Sequence, residues 1–252
     1  MIYADYLATA EAHRWILDTD IAWDDVDPAL ALEQPDLLDR VRDSALIESY
    51  FPLFTPKALS LLWDDVNATA VFSIQLYESY KHFHVFNTYL HCVGYRPVQD
   101  DEIVEVRRRN QHVRYADGTE LLTRYMMSEH FAAHHFFKDA RQAREPVLAH
   151  ILQLVGRDEV RHAQFASDLL ELRLKRDPAE ADKVLAAARR FRHIGLEVVA
   201  EVPVAEKNDF MAVLTLNQKL QRLTGRGLES FTGEANNESA QPDLEAQLVS
   251  PE

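Results

Sequence analysis

The residues best suited to chemistry are Asp158-Glu159-Val160-Arg161-His162, inside a long helical pattern. Glu159 and His162 are three apart, so a helix projects both from one face. A carboxylate and an imidazole at this spacing reach one metal ion, or two adjacent ions, inside a bundle. A dimetal carboxylate site is built from Glu-x-x-His pairs on two helices and one Glu from each of two others. One such pair alone is weak evidence, and the rest of the set has to be found. Glu78 and His82, at i and i+4, share a face of an earlier helical stretch. Glu48 sits among Leu46, Ile47 and Phe51, and Glu129 among Met126, Met127 and Phe131.

The spacing of these residues along the chain agrees with one site. In an antiparallel helix hairpin, two residues lie at one level when they are equally far from the turn. Glu48 and His82 have their midpoint at residue 65, inside a turn-like Asp64–Asn67 stretch. Glu129 and His162 have theirs between Glu145 and Pro146, a second break. Each hairpin thus brings one Glu level with a Glu/His pair, about 25 Å from its turn at 1.5 Å per residue. The alternative, six separate ionisable residues in apolar helix stretches without partners, is costly. Histidine and carboxylate ligands without thiolate suit iron or manganese.

The elements that must position these groups are all helical. An opening helix is expected to about Thr19, followed by an irregular crossing through Trp23 and Asp24–Pro28. Pro35-Asp36 restarts a helix carrying Leu37, Leu38, Val41, Ala45 and Leu46 at helical spacing, which Pro52 and Pro56 must distort. Asn67 is expected to cap a second long helix to about Val93, with Gly94 and Pro97 as stop signals. Asp100 to Arg114 reads as a charged helix or connector, and residues 116–119 as a turn. Long helices follow at about 120–144 and 146–176, then shorter ones at about 178–192 and 205–224. Residues 1–228 form one helical domain in this reading, and 229–252 a disordered acidic tail. The fold expected is all-α, a ferritin-like four-helix bundle with additional helices.

The stretch from Ser128 to Phe165 resembles the second half of the soluble acyl-carrier-protein desaturases. Glu129, Ala140-Arg141-Gln142-Ala143 and Asp158-Glu159-Val160-Arg161-His162 carry the resemblance. The helix around residue 82 resembles the first half, through His82, Asn87, Tyr89-Leu90 and Gly94. The resemblance covers about residues 45–170 and places the chain in the ferritin-like di-iron carboxylate superfamily. It implies two iron ions, with Glu48, His82, Glu129, Glu159 and His162 among the metal ligands and Asp158 orienting His82. It also implies O₂-dependent oxidation, by desaturation or oxygenation, of an apolar or acyl-type small molecule, free or linked to a carrier protein. Electrons would come from an external donor such as a ferredoxin. The family's pattern departs at one point: in its register Ser79 occupies the ligand place and Glu78 the place of an orienting residue. Either Glu78 takes over ligation, the expectation adopted here, or one ion is held weakly. N-oxygenation of an amine on the same scaffold is a second enzymatic reading. Metal storage or a metal-radical cofactor role is the non-enzymatic one.

Bulk properties exclude other classes. Seven glycines in 252 residues are few for an all-β or doubly wound fold, and the single cysteine, Cys92, rules out an internal disulfide framework. A net charge of −14 argues against nucleic acid as a partner. No apolar run spans a bilayer and no signal peptide is read at the start, so the expected location is cytoplasmic. A homodimer is one expectation that the sequence leaves open. His84, His91, His134, His135 and His150 point away from the proposed ligand faces. Tyr77, Tyr80 and Tyr125 lie near the site in sequence. Arg107, Arg108 and Arg109, within the Arg96–Arg114 stretch, form a local basic cluster and a candidate dock for an acidic partner, which Lys138, Arg141 and Arg144 would extend. No flavin or nicotinamide fingerprint is present.

Overall fold

A computed structural model describes residues 1–200, 202 and 210–228; the expected tail, 229–252, and the start of the last helix, 205–209, lie outside the described residues. No strand occurs among the described residues. The helices are α1 (Ile2–Ala12), α2 (Leu17–Asp20), α3 (Pro28–Leu32), α4 (Pro35–Glu48), α5 (Phe51–Leu61), α6 (Val66–Cys92), α7 (Asp100–Asn110), α8 (Gly118–Gln142), α9 (Pro146–Arg176), α10 (Glu180–Arg189) and α11 (Phe210–Thr224). Two hairpins form the bundle. In one, α4 and α5 pack against α6; in the other, α8 lies along α9. The hairpins meet where α6 packs on α9 and α5 on α8, and α1 covers the seam of α6 and α9. No helix among the described residues is long and apolar enough to cross a membrane.

Local chemistry explains the boundaries. Pro35 and Pro146 begin α4 and α9, where proline's missing amide costs nothing. The Glu145 side chain accepts from the amides of Val147 and Leu148, and also from the Tyr89 hydroxyl at 2.9 Å. Gly94, at φ +67°, ends α6 in a left-handed conformation, with its amide and that of Tyr95 bonded back to His91 and Leu90. The cap of α6 is Asp65, not Asn67 as expected: its carboxylate accepts from the Ala68 amide. The break falls at Ser49-Tyr50, ahead of Pro52, which has no amide to bond the Glu48 carbonyl and lies in the first turn of α5; α5 runs on through Pro56. Arg107 then donates to the Ser49 carbonyl at 3.1 Å, just beyond Glu48.

Two expectations at the N-terminus are corrected. The opening helix stops at Ala12 rather than Thr19, and Asp27-Pro28 starts the short helix α3 inside the expected irregular crossing. The first departure has a visible cause. Trp15 is buried in the stretch between α1 and α2, and its indole donates to Asp158 at 2.9 Å. A continuing helix would not be free to turn that indole inward.

The core is a continuous apolar cluster running through every long helix. At its centre Tyr125 packs against Phe72, Phe54 and Phe51, with ring centroids 5.1, 5.8 and 6.4 Å away. Embedded in this layer stand Glu48, Glu78, His82, Glu129, Asp158, Glu159 and His162, all buried.

Candidate metal centre

The four long helical segments each deliver part of one cluster. Glu48 comes from the last residue of α4, His82 from the middle of α6, Glu129 from α8, and Glu159 with His162 from α9. The hairpin level argument therefore holds for both hairpins. Two triads result, Glu48/His82/Glu159 and Glu129/Glu159/His162, and within each the ligand-type atoms lie within 4.8 Å of one another. Glu159 belongs to both. One of its oxygens is 3.0 Å from His82 Nδ1 and the other 2.7 Å from His162 Nδ1. Glu48 lies 3.8 Å from His82 Nδ1 and Glu129 3.7 Å from His162 Nδ1. The two imidazole centroids are 5.8 Å apart.

The orphaned atoms indicate what the cluster is shaped for. Glu48 Oε2, His82 Nδ1 and Glu159 Oε1 are fully buried and make no hydrogen bond. The 3.0 Å separation of the last two is close enough for one, but the atoms are not aligned for it. Three polar atoms turned towards one point, rather than towards each other, fit a cation better than a hydrogen-bonded core, where such orphans are rare.

Behind each imidazole stands a carboxylate. His82 Nε2 donates to Asp158 at 3.0 Å, and His162 Nε2 to Glu78 at 2.9 Å. Each carboxylate has an aromatic donor of its own: Trp15 for Asp158 at 2.9 Å, and Tyr6 for Glu78 at 2.6 Å. Arg161 joins the two carboxylates, at 2.8 Å from Asp158 and 2.6 Å from Glu78. Such partners fix which ring nitrogen is free to bind metal. Here both leave Nδ1 facing inward.

This geometry sets Glu78 apart from the other expected ligands. Its carboxylate stands on the far side of the His162 ring and belongs to neither triad. The reason is helical: moving from residue 79 to 78 rotates a side chain by about 100°. The neighbouring Ser79 is buried, and its hydroxyl accepts from Gln75 at 2.5 Å. Sequence reasoning passed over Tyr6, Trp15 and Gln75. The register that assigned Asp158 its role was the available signal for Glu78, since the two carboxylates play the same part for opposite histidines. Asp158 is found where the resemblance put it.

Electrostatics follow the same division. Burial alone would lower the pKa of His82, but its bond to Asp158 and the Glu159 carboxylate 3.0 Å from Nδ1 outweigh burial and hold it well above the usual value. His162 is likewise raised against burial, by Tyr6 and by the Glu159 and Glu129 carboxylates near its Nδ1. Burial, then the Glu159 charge, raises Glu48 and Glu129. The carboxylates holding the histidines move the other way. Burial opposes ionisation of Glu78, but His162, Arg161 and Tyr6 bring it to about 2. Asp158 is also held below its usual range, by His82 and Arg161 against burial. Four of the five inward groups are thus pushed towards their protonated forms, whereas the shared Glu159 is held well below its usual range, against burial, by His162, Glu129 and His82.

The remaining candidates separate clearly. Tyr77 and Tyr80 are exposed, whereas Tyr125 is fully buried with an unpartnered hydroxyl. His150 bonds to the Asp20 carbonyl and His135 to Asp139, neither in a triad. The basic cluster is partly spent within the fold: Arg107 holds Ser49, and Arg108 and Arg109 both face Glu105. Compared with known proteins, the chain matches no family model and no curated protein.

Proposed function

We propose that the bundle holds two metal ions, iron or manganese, and works as an O₂-dependent di-iron oxidoreductase, a desaturase or oxygenase acting on an apolar or acyl-type substrate. In this reading the chain is a relative of the soluble acyl-carrier-protein desaturases within the ferritin-like superfamily. The observation that carries it is the convergence of unpartnered Glu48, His82 and Glu159 atoms, with a twin triad sharing Glu159. Two ferrous ions bound there would supply the electrons with which O₂ is activated.

The chain's own residues have separable tasks. Glu159 sets the relative position of the two triads, since one side chain serves both. Asp158 and Glu78 keep the Nε2 protons in place and so keep both Nδ1 atoms available as ligands. Phe51, Phe54, Phe72 and Tyr125 exclude water from one side of the centre. The test is elemental analysis and an optical spectrum after anaerobic reconstitution with ferrous iron and exposure to air. Two ions per chain and an oxo-bridged ferric absorption support the reading. A chain that retains no metal at micromolar concentration ends it.

A further inference from the structure

A cavity of about 330 Å³ lies between α4, α8 and the residues His193, Val199 and Val202. That is at the small end of small-molecule sites, roughly 300–1,000 Å³. Glu48 is part of its lining, and Ile47, Ala132, Phe136, Val199 and Val202 supply apolar wall. Arg40 and Asp43 also line it, eight and five residues from Glu48 along α4. The cleft therefore runs for about 12 Å at 1.5 Å per residue.

The charges at the outer end decide what can enter. Arg40 gives three hydrogen bonds to Asp139, at 3.0 to 3.2 Å, and its remaining nitrogen donates to the Asp36 carbonyl. Its charge is matched by Asp139, and one N–H on each terminal nitrogen is left over. Arg42 is bonded to Glu102, and Arg96 to Asp39 at 3.0 Å. His135 rests on Asp139 at 3.1 Å. His193, deeper in the wall, is pushed down to about 4 by burial and accepts from the Gly195 amide, so it adds no positive charge. Each arginine has its own carboxylate, and Asp43 is the acid left over: it has no hydrogen bond or ion pair among the described residues. Its carboxylate is half-buried and raised in pKa by that burial and the Asp39 charge, which together outweigh the opposing charges of Arg42 and Arg96. A cation beside it would relieve the cost.

We infer that this cavity takes an apolar molecule with an ammonium head, held by Asp43, whose tail reaches towards Glu48. That this molecule is the substrate rests on the reading of the Glu48 cluster as the reactive centre. An ammonium at Asp43 sits about 7.5 Å up the helix from Glu48. Carbon rather than nitrogen is then presented to the centre, which favours C–H oxidation over N-oxygenation.

The test is calorimetric titration of the metal-free protein at pH 7 with octylammonium, octanoate and octanol, beside a separate metal assay. Octylammonium is expected to bind at least about tenfold tighter than octanoate. Asp43→Asn should abolish that advantage while leaving octanol binding and metal content unchanged. Ala132→Phe, which fills the cavity, should weaken all three ligands. Equal or tighter octanoate binding overturns the inference, as does an ammonium preference that survives Asp43→Asn. Binding unaffected by Ala132→Phe overturns the location. Loss of metal loading in the wild-type chain would sink the dimetal reading instead, and the ligand titrations would stand apart from it.

Discussion

The shared carboxylate gives the sharpest test of the centre. Replacing Glu159 by Gln keeps volume and shape but removes one negative charge, 3.0 Å from one inward histidine nitrogen and 2.7 Å from the other. Glu48 and Glu129, by contrast, each belong to a single triad. Loss of an orienting partner that does not touch the metal typically costs 10–100-fold in affinity, about 1.4–2.7 kcal/mol. Loss of a charged ligand should cost at least the upper figure, and for Glu159 at both positions. Glu159→Gln is therefore expected to fall from two ions per chain to well below one at micromolar iron. Glu48→Gln and Glu129→Gln should each fall towards one. The assay is metal content after reconstitution and desalting, with circular dichroism to confirm the fold. If Glu159→Gln keeps both ions, or if all three variants lose metal equally, the shared-ligand geometry is wrong.

Further outcomes follow from the same structure. Glu78→Gln and Asp158→Asn should each lower metal affinity by about 10–100-fold without abolishing binding, and Glu78→Gln should do so through the His162 position; complete loss of metal in Glu78→Gln would restore Glu78 as a direct ligand. The metal-free protein should be most stable between about pH 4 and 6.5. His82 and His162 are raised, so their contribution is complete below about 6.5 and lost as pH climbs through their folded values, and the raised Glu48 and Glu129 act in the same direction. Glu78 and Asp158 are depressed, so their contribution is present above about pH 4 and lost as pH falls through their folded values. Thermal melts from pH 3 to 9 check this, and a flat Tm would contradict it. Phe72→Ala, at a fully buried ring in the layer beside the centre, should cost about 3–5 kcal/mol in denaturant unfolding. For a protein partner, Arg108→Glu with Arg109→Glu is the cleaner reversal, since both side chains are more than half exposed while Arg107 holds the backbone beside Glu48. Unchanged turnover at low salt with carrier-linked substrate and protein reductant would remove this patch as a dock.

Most of the bundle was legible because its signals were local. Pro35, Pro146 and Gly94 mark helix ends by their own backbone chemistry, and these ends fall where expected. The pairing of Glu48 with His82 and of Glu129 with His162 was legible because helix rise is constant, so equal distances from a turn give equal heights. What could not be read depends on contacts distant in sequence. The early end of α1 follows from Trp15 reaching Asp158, 143 residues away. Tyr6 reaches Glu78 across 72 residues, and nothing in its local sequence distinguishes it from a core tyrosine.

The placement of Glu78 outside both triads shows how chemical preference competes with geometry. A carboxylate is the better ligand for a hard cation, which favoured Glu78 over Ser79. Helix phase favoured Ser79, because about 100° separates adjacent side chains and the neighbouring face already had a use. Phase prevailed because His162 also needed a partner for its outer nitrogen. Without one, the ring would be free to turn, and its buried N–H would be left unsatisfied. Glu78, accepting from His162, Tyr6 and Arg161, fills that need, as Asp158 does for His82. The two triads consequently share one carboxylate, Glu159, and each has one further carboxylate of its own, Glu48 or Glu129.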